Sequence, residues 1–361
     1  MKIQELWVER AKLRNMRQVE REAAPLVEGE IRVAIDKFAL TANNVSYAIS
    51  GEEIGYWKYF PAEGEWGKPP VWGFADVVES RSAEIKQGER LWGFFPIATE
   101  LTLKPGAVKA QSFIDFAPHR KELPGLYNLY YRTSNDPPAM KPLEDARCLL
   151  FPLFATSYIL YDYLLAHDFF GAEQILIGSA SSKTGFGLAW LLKNDRKHPK
   201  RVVGLTSAAN VDFVKGLGCY DEVVRYEDIG KLDAARSTAF VDMAGAASLI
   251  QSVHEHFRDS IRESAIVGAT HWESDRKRGP LPGAKPKFFF APAHIARREQ
   301  EWGAGAFMPK ALMASMQIVG ATAKLIDVAH LRGPDAVQQA FLDLLDNRVP
   351  PSRGLMLSMK S

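Results

Sequence analysis

Short apolar runs separated by turn residues fill the first 140 positions of the chain. Residues 31–35 alternate as Ile-Arg-Val-Ala-Ile, and 71–78 and 90–95 are further strand candidates. Gly67-Lys68-Pro69-Pro70 and Gln87-Gly88-Glu89 punctuate them. Short strands with frequent turn signals predict a β-rich, partly open barrel. The stretch 123–142 reads as loop and carries Tyr127, Tyr130 and Tyr131. From 149 onward the pattern changes. Helix 154–167 leads into strand 175–177, helix 185–193, strand 201–205, helix 209–217 and strand 222–225. Strand 238–242, helix 246–257 and strand 264–268 follow. Such alternation predicts a doubly wound parallel α/β sheet with helices on both faces. In the tail, 334–346 is an amphipathic helix with Val337, Phe341, Leu344 and Leu345 on one side, and 354–359 is a candidate strand. The organisation expected is a β-rich domain built from 1–145 and 305–361 around a parallel-sheet domain, 146–304.

The chemistry concentrates in 173–193. A buried strand, a loop of small and polar residues from Gly178 to Gly187, and a helix form a β-α unit. Such a unit presents backbone N–H groups and a helix N-terminus to a phosphate. The full G-x-G-x-x-G is absent: Gly185 and Gly187 are present, but Ser181, Ser182, Lys183 and Thr184 precede them. A triphosphate loop of the G-x-x-x-x-G-K-[ST] type fails on spacing, since Ser182 stands where its second glycine belongs. A dinucleotide site is the reading adopted, with a β-α turn of another α/β protein as the alternative.

Composition narrows the partners. A net charge of +2 on 361 residues argues against nucleic acid or an anionic membrane. The two cysteines, Cys148 and Cys219, stand far apart in apolar surroundings and read as buried thiols of a reducing compartment. The first 21 residues mix both charge signs without an apolar core, and no apolar run reaches membrane-spanning length. A cytoplasmic protein is expected.

Several segments resemble the medium-chain dehydrogenase/reductase superfamily, over nearly the whole chain. Leu40-Thr41-Ala42-Asn43-Asn44-Val45-Ser46-Tyr47, followed by Gly51, resembles the Asn-containing active-site segment of zinc-free quinone and enoyl reductases. Val71-Trp72-Gly73-Phe74-Ala75-Asp76-Val77-Val78, Gly88-Glu89-Arg90-Leu91-Trp92-Gly93 and Phe154-Ala155-Thr156-Ser157-Tyr158 resemble further family segments. Ser179 to Gly185 aligns with the glycine-rich loop of quinone reductases, with Ser182-Lys183 in place of two glycines. The segments 56–61, 179–184 and 289–292 resemble one bacterial and fungal offshoot catalogued as a domain of unknown function. The resemblance implies a GroES-like β-rich domain beside a Rossmann domain.

It also frames the site. The superfamily's zinc-dependent members need a Cys or Asp near Asn43–Ser46 and a Gly-His-Glu in the next strand; here that strand reads Trp72-Gly73-Phe74-Ala75. Two cysteines cannot build a four-cysteine structural zinc site. His254 and His256, two apart on a helix, are a poor metal pair and read as surface residues. No metal is expected, which favours hydride addition to an activated C=C bond or quinone. An NAD site places an acid at the end of the second strand; here Thr206, Ser207, Ala208, Ala209 and Asn210 stand there instead. Hydroxyls and an amide can donate to a 2′-phosphate and Lys183 adds positive charge, so NADP(H) is expected over NAD(H). Helix capping is the competing role for Ser207 and Asn210.

Family resemblance adds Tyr226 near that phosphate, Asp242 and Ala244 along the ribose, and Gly268 and Thr270 at the nicotinamide. Ser179, Ser181, Ser182, Thr184 and Gly185 complete the phosphate loop. Tyr56 or Tyr47 is the candidate proton donor and Asn43 a candidate orienting amide, with packing in an aromatic wall as the alternative. Tyr131 is a more remote candidate. Aromatic residues between 56 and 95 suggest a small apolar or aromatic substrate. By analogy the chain would form a homodimer through 264–268 and the residues after it. A ketone reductase, a dinucleotide-binding sensor without turnover and a non-redox enzyme on the same fold are the competing functions.

Overall fold

The computed structural model describes residues 2–136, 138–268 and 280–361. Two compact units form: Met1–Leu149 with Asp327–Ser361, and Leu150–Ile326.

In the first unit, β1 (Lys2–Glu9) and β2 (Lys12–Glu22) make an antiparallel hairpin. A larger sheet contains β3 (Ile31–Leu40), β4 (Pro70–Ser80), β5 (Arg90–Pro96) and β6 (Leu129–Arg132) as neighbours. The tail strands Asp327–Arg332 and Arg353–Ser358 extend it beyond β3. Val33, Ile35, Phe38, Val71, Ala75, Leu91 and Phe95 fill its core. Between β3 and β4 lies α1 (Ala42–Ile49), which starts at Thr41. Asn44 Oδ1 accepts the Thr41 N–H at 2.7 Å, and its Nδ2 donates to the Pro70 carbonyl at 2.9 Å. One amide thus closes the helix start and ties it to β4. The expected loop 123–142 contains β6, whose Tyr130 is fully buried.

The second unit opens with α2 (Phe151–Ala166). Then β7 (Gln174–Gly178), α3 (Lys183–Asn194), β8 (Arg201–Thr206), α4 (Val211–Gly216) and β9 (Glu222–Arg225) alternate. After them come β10 (Thr238–Asp242), α5 (Ala247–Phe257), β11 (Ile261–Ile266) and β12 (Lys287–Phe288). The strands are parallel in the order β9-β8-β7-β10-β11-β12. Every residue of β7 is buried, as a parallel strand covered on both faces requires. Helices α6 (Ala291–Trp302) and α7 (Phe307–Thr322) complete the unit. The sequence boundary at 305 precedes α7, which packs on α2 inside this unit, with the Tyr158 and Phe307 rings 6.2 Å apart.

Two readings are corrected. The fifth strand runs Ile261–Ile266, not 264–268, because the polar Glu263 and Ser264 at its centre are buried and break the apolar signal. The strand after it, β12, pairs with Ala265 and Ile266. His254 is fully buried, not at the surface. It lies on the inward face of α5 with Ile250, Val253 and Phe257. Its Nδ1 is 2.8 Å from the Pro282 carbonyl and its Nε2 2.9 Å from Ser264 Oγ. A carbonyl only accepts, so a neutral ring donates from Nδ1 and accepts the serine proton at Nε2. Burial pushes its pKa down, in keeping with that form.

Candidate functional site

The strand order of the second unit reverses direction between β7 and β10, where Gly178 pairs with Asp242. Ligands of open α/β sheets bind beyond the carboxyl ends of strands at such a switch point. Gly178 leads into Ser179, a non-glycine residue in the left-handed region at φ 54°. The loop is then fastened to its neighbour: the Ala180 N–H donates to the Leu205 carbonyl at 2.9 Å, and the Tyr220 hydroxyl to the Ala180 carbonyl at 2.8 Å. Tyr220 was not anticipated. Its signal is Gly204, where an added Cβ would meet the Tyr220 ring at 2.8 Å.

Ser182 caps α3, its hydroxyl accepting the Gly185 N–H at 3.1 Å. Gly185 leaves no room for a Cβ beside that hydroxyl, and at Gly187 a Cβ would stand 2.5 Å from Ser157 Oγ on α2. Lys183 is the first residue of the helix, and Thr184 follows with its carbonyl accepting from Ser157 Oγ at 2.8 Å. Lys183 is half-buried, and desolvation pushes its ammonium pKa down to about 8.

At the end of β8, Thr206 Oγ1 is buried and has no hydrogen-bond partner. Ser207 and Asn210 make no side-chain cap. Asn210 Nδ2 instead donates to Ser181 Oγ at 3.3 Å, and the Tyr226 and Ser179 hydroxyls lie 3.4 Å apart. The fold therefore gathers Ser179, Ser181, Asn210 and Tyr226, expected from separate stretches of sequence, into one polar rim. No acid stands at positions 206–211. Hydroxyls and an amide are the kind of donors that a phosphorylated ribose would accept from.

Asp242 behaves differently from its expected ribose role. It is fully buried, and its carboxylate accepts the N–H groups of Gly245 at 2.7 Å, Ala246 at 3.1 Å and Ala244 at 3.4 Å. An internal anion thus occupies the amides before α5, while before α3 only a neutral hydroxyl does so. Burial raises the Asp242 pKa to about 6 despite these bonds. The turn it holds crosses the end of the next strand closely: a Cβ on Gly245 would meet the Gly268 carbonyl oxygen at 2.4 Å. Thr270 lies outside the described residues.

The first unit holds the tyrosines. Tyr47 projects from α1 and Tyr56 from the short helix Tyr56–Lys58, their ring centroids 4.4 Å apart. The Tyr56 and Tyr127 hydroxyls are 3.0 Å apart. Burial raises the pKa of Tyr47, with Trp72, Asn43 and Tyr127 at its hydroxyl opposing the rise. Tyr56 and Tyr127 are pushed well above their ordinary value, first by burial and then by neighbouring tyrosines. The unit therefore brings Asn43, Tyr47 and Tyr56 together, adding Tyr127 and Trp72, which the sequence marked only as aromatic. Tyr131 lies apart, against Trp92 at 5.5 Å. Both cysteines are buried thiols; burial raises both, Cys219 to about 12.

Among the described residues no three His, Cys, Asp or Glu side chains form a metal-binding cluster, and no single helix is long and apolar enough to cross a membrane.

The architecture has counterparts among solved structures. CurA from Vibrio vulnificus superposes with a TM-score of 0.60 at 11% identity, over 100% of this chain and 99% of that one. CurA from the same organism in complex with NADPH gives 0.59 at 10% identity, over 99% of each chain. The quinone oxidoreductase from Coxiella burnetii gives 0.54 at 12% identity, over 99% of each. No curated protein matches the sequence. The fold, a GroES-like β-rich unit and a Rossmann parallel-sheet unit, is the one these structures share. A family model matches residues 38–350, and the chain belongs to that family, described as protein of unknown function DUF2855.

Proposed function

We propose that this protein is a zinc-independent, NADP(H)-dependent oxidoreductase that reduces an apolar enone, enoyl thioester or quinone. The observation that carries the reading is the end of β8. Thr206, Ser207 and Asn210 stand where an NAD-preferring site has an acid, and the Thr206 hydroxyl is buried without a partner. Lys183 and the start of α3 supply positive potential for the phosphates. The chemistry such a cofactor supplies is hydride transfer. The chain's part is to hold it through Ser179, Ser181, Lys183, Asn210 and Tyr226, and to fix the turn after β10 through Asp242. The NADPH bound to CurA, a protein of the same fold, is in keeping with this. Tyr47 and Tyr56 are the proposed proton sources, with Asn43 at the Tyr47 hydroxyl.

The test is NADPH consumption with 2-cyclohexen-1-one, crotonyl thioesters and menadione, in wild type and Ser207→Asp. The reading expects turnover with at least one acceptor. An acid beside the 2′-phosphate should cut NADPH affinity about tenfold or more while sparing NADH. Tight NADPH binding with no consumption by any acceptor would favour a sensor over a reductase.

A further inference from the structure

Among the described residues, Ser179 is the one non-glycine residue with a left-handed backbone at the carboxyl ends of the parallel strands, at φ 54°. The turn after the neighbouring strand β10 meets the same demand with a glycine, Gly245 at φ 70°. A glycine at 179 would adopt this conformation without the steric penalty that a Cβ brings. The turn itself does not call for the serine side chain. The Ser179 carbonyl accepts the Ser182 N–H at 2.9 Å, and a glycine carbonyl would do the same. What the side chain reaches is Tyr226, whose hydroxyl lies 3.4 Å from Ser179 Oγ and also against the Ser179 backbone. That is long for a bond between hydroxyls, so this contact alone does little to offset the strain.

Tyr226 opens the short helix that follows β9, and the strand order is β9-β8-β7. The pair therefore spans the carboxyl end of β8, from one neighbour of that strand to the other. Both side chains are half-buried and keep part of their surface open to solvent. Two hydroxyls so placed can both turn their protons toward one shared acceptor. We propose that Ser179 is a specificity-determining residue, its strained backbone kept so that its hydroxyl joins that of Tyr226 in donating to a phosphate on the cofactor ribose. The proposal rests on the NADP(H) reading for the identity of that phosphate. With no acid at 206–211, that stretch does not select a bare 2′-hydroxyl, and the Ser179–Tyr226 pair supplies the selection for its phosphorylated form.

The experiment measures dissociation constants for NADPH and NADH, and melting temperatures, at one salt concentration. It compares wild type with Ser179→Gly, Ser179→Ala and Tyr226→Phe. Ser179→Gly should bind NADPH about tenfold more weakly, leave NADH binding unchanged, and melt no lower than wild type. Ser179→Ala removes the hydroxyl and keeps the strain, so it should weaken NADPH to the same extent. Tyr226→Phe should also weaken NADPH and spare NADH. Wild-type NADPH affinity in Ser179→Ala, an equal loss of both cofactors, or a lower melting temperature in Ser179→Gly would overturn the role of Ser179 and leave the NADP(H) reading standing. A wild type that binds NADH as tightly as NADPH would overturn both.

Discussion

Lys183 faces two demands at once: it sits half-buried at the first turn of α3, and burial already lowers its pKa to about 8. A phosphate beside it would favour the charged form, so binding should take up a proton above pH 8. NADPH affinity should therefore fall as pH rises from 8 to 9. Lys183→Met should bind NADPH about tenfold more weakly at pH 7 and lose that pH dependence. Calorimetric titration at several pH values checks both. Asp242 gives a second pH signature. Its folded pKa of about 6 lies above the ordinary aspartate value of 3.8. Between these values the folded state holds the proton more tightly, so this residue's contribution to stability falls as pH rises from 4 to 6. The stability of wild type relative to Asp242→Asn should drop by roughly 3 kcal/mol across that window. Urea unfolding of both proteins from pH 4 to 8 measures it; a flat difference would contradict the buried, ionising carboxyl.

Elements with strong period or full burial were legible in the chain. The strands Glu222–Arg225 and Thr238–Asp242 lie where the apolar pattern puts them, and β7 and α3 bracket the phosphate loop as expected. The hairpin strand β2 was not legible, because none of its residues, Lys-Leu-Arg-Asn-Met-Arg-Gln-Val-Glu-Arg-Glu, is fully buried, only Leu13 and Met16 lean on the core, and charge lies on both faces. Helix α6 was missed for the same reason: Ile295 is its one fully buried residue. In β11 the polar residues were real but buried, so the pattern broke where the strand did not. The site followed the same logic. Loop residues could be proposed from spacing, while the Asn210–Ser181 contact, the Tyr220 fastening and the Asp242 turn depend on elements far apart in sequence. Close packing of α3 on α2 yields a test at this scale. Gly187→Ala places a Cβ 2.5 Å from Ser157 Oγ and 2.8 Å from the Phe154 ring. It should cost about 1–3 kcal/mol in urea unfolding, and pairing it with Ser157→Ala should recover part of that loss.

At the scale of the molecule, two units with different strand patterns carry different chemistry. One holds a polar rim at the switch point of a parallel sheet; the other holds a buried group of tyrosines packed among aromatic rings. The fold is shared with CurA and the Coxiella quinone oxidoreductase, and the case for the cofactor comes from this chain's own residues. The absence of an acid after β8, together with Lys183 in the loop, is the central claim. Binding of NADPH and NADH to the purified protein at one fixed salt concentration, followed by nicotinamide fluorescence, tests it most directly. The account predicts NADPH binding about tenfold or more tighter than NADH, the gap closing in Ser207→Asp. Equal or tighter binding of NADH, or no binding of either, would contradict it.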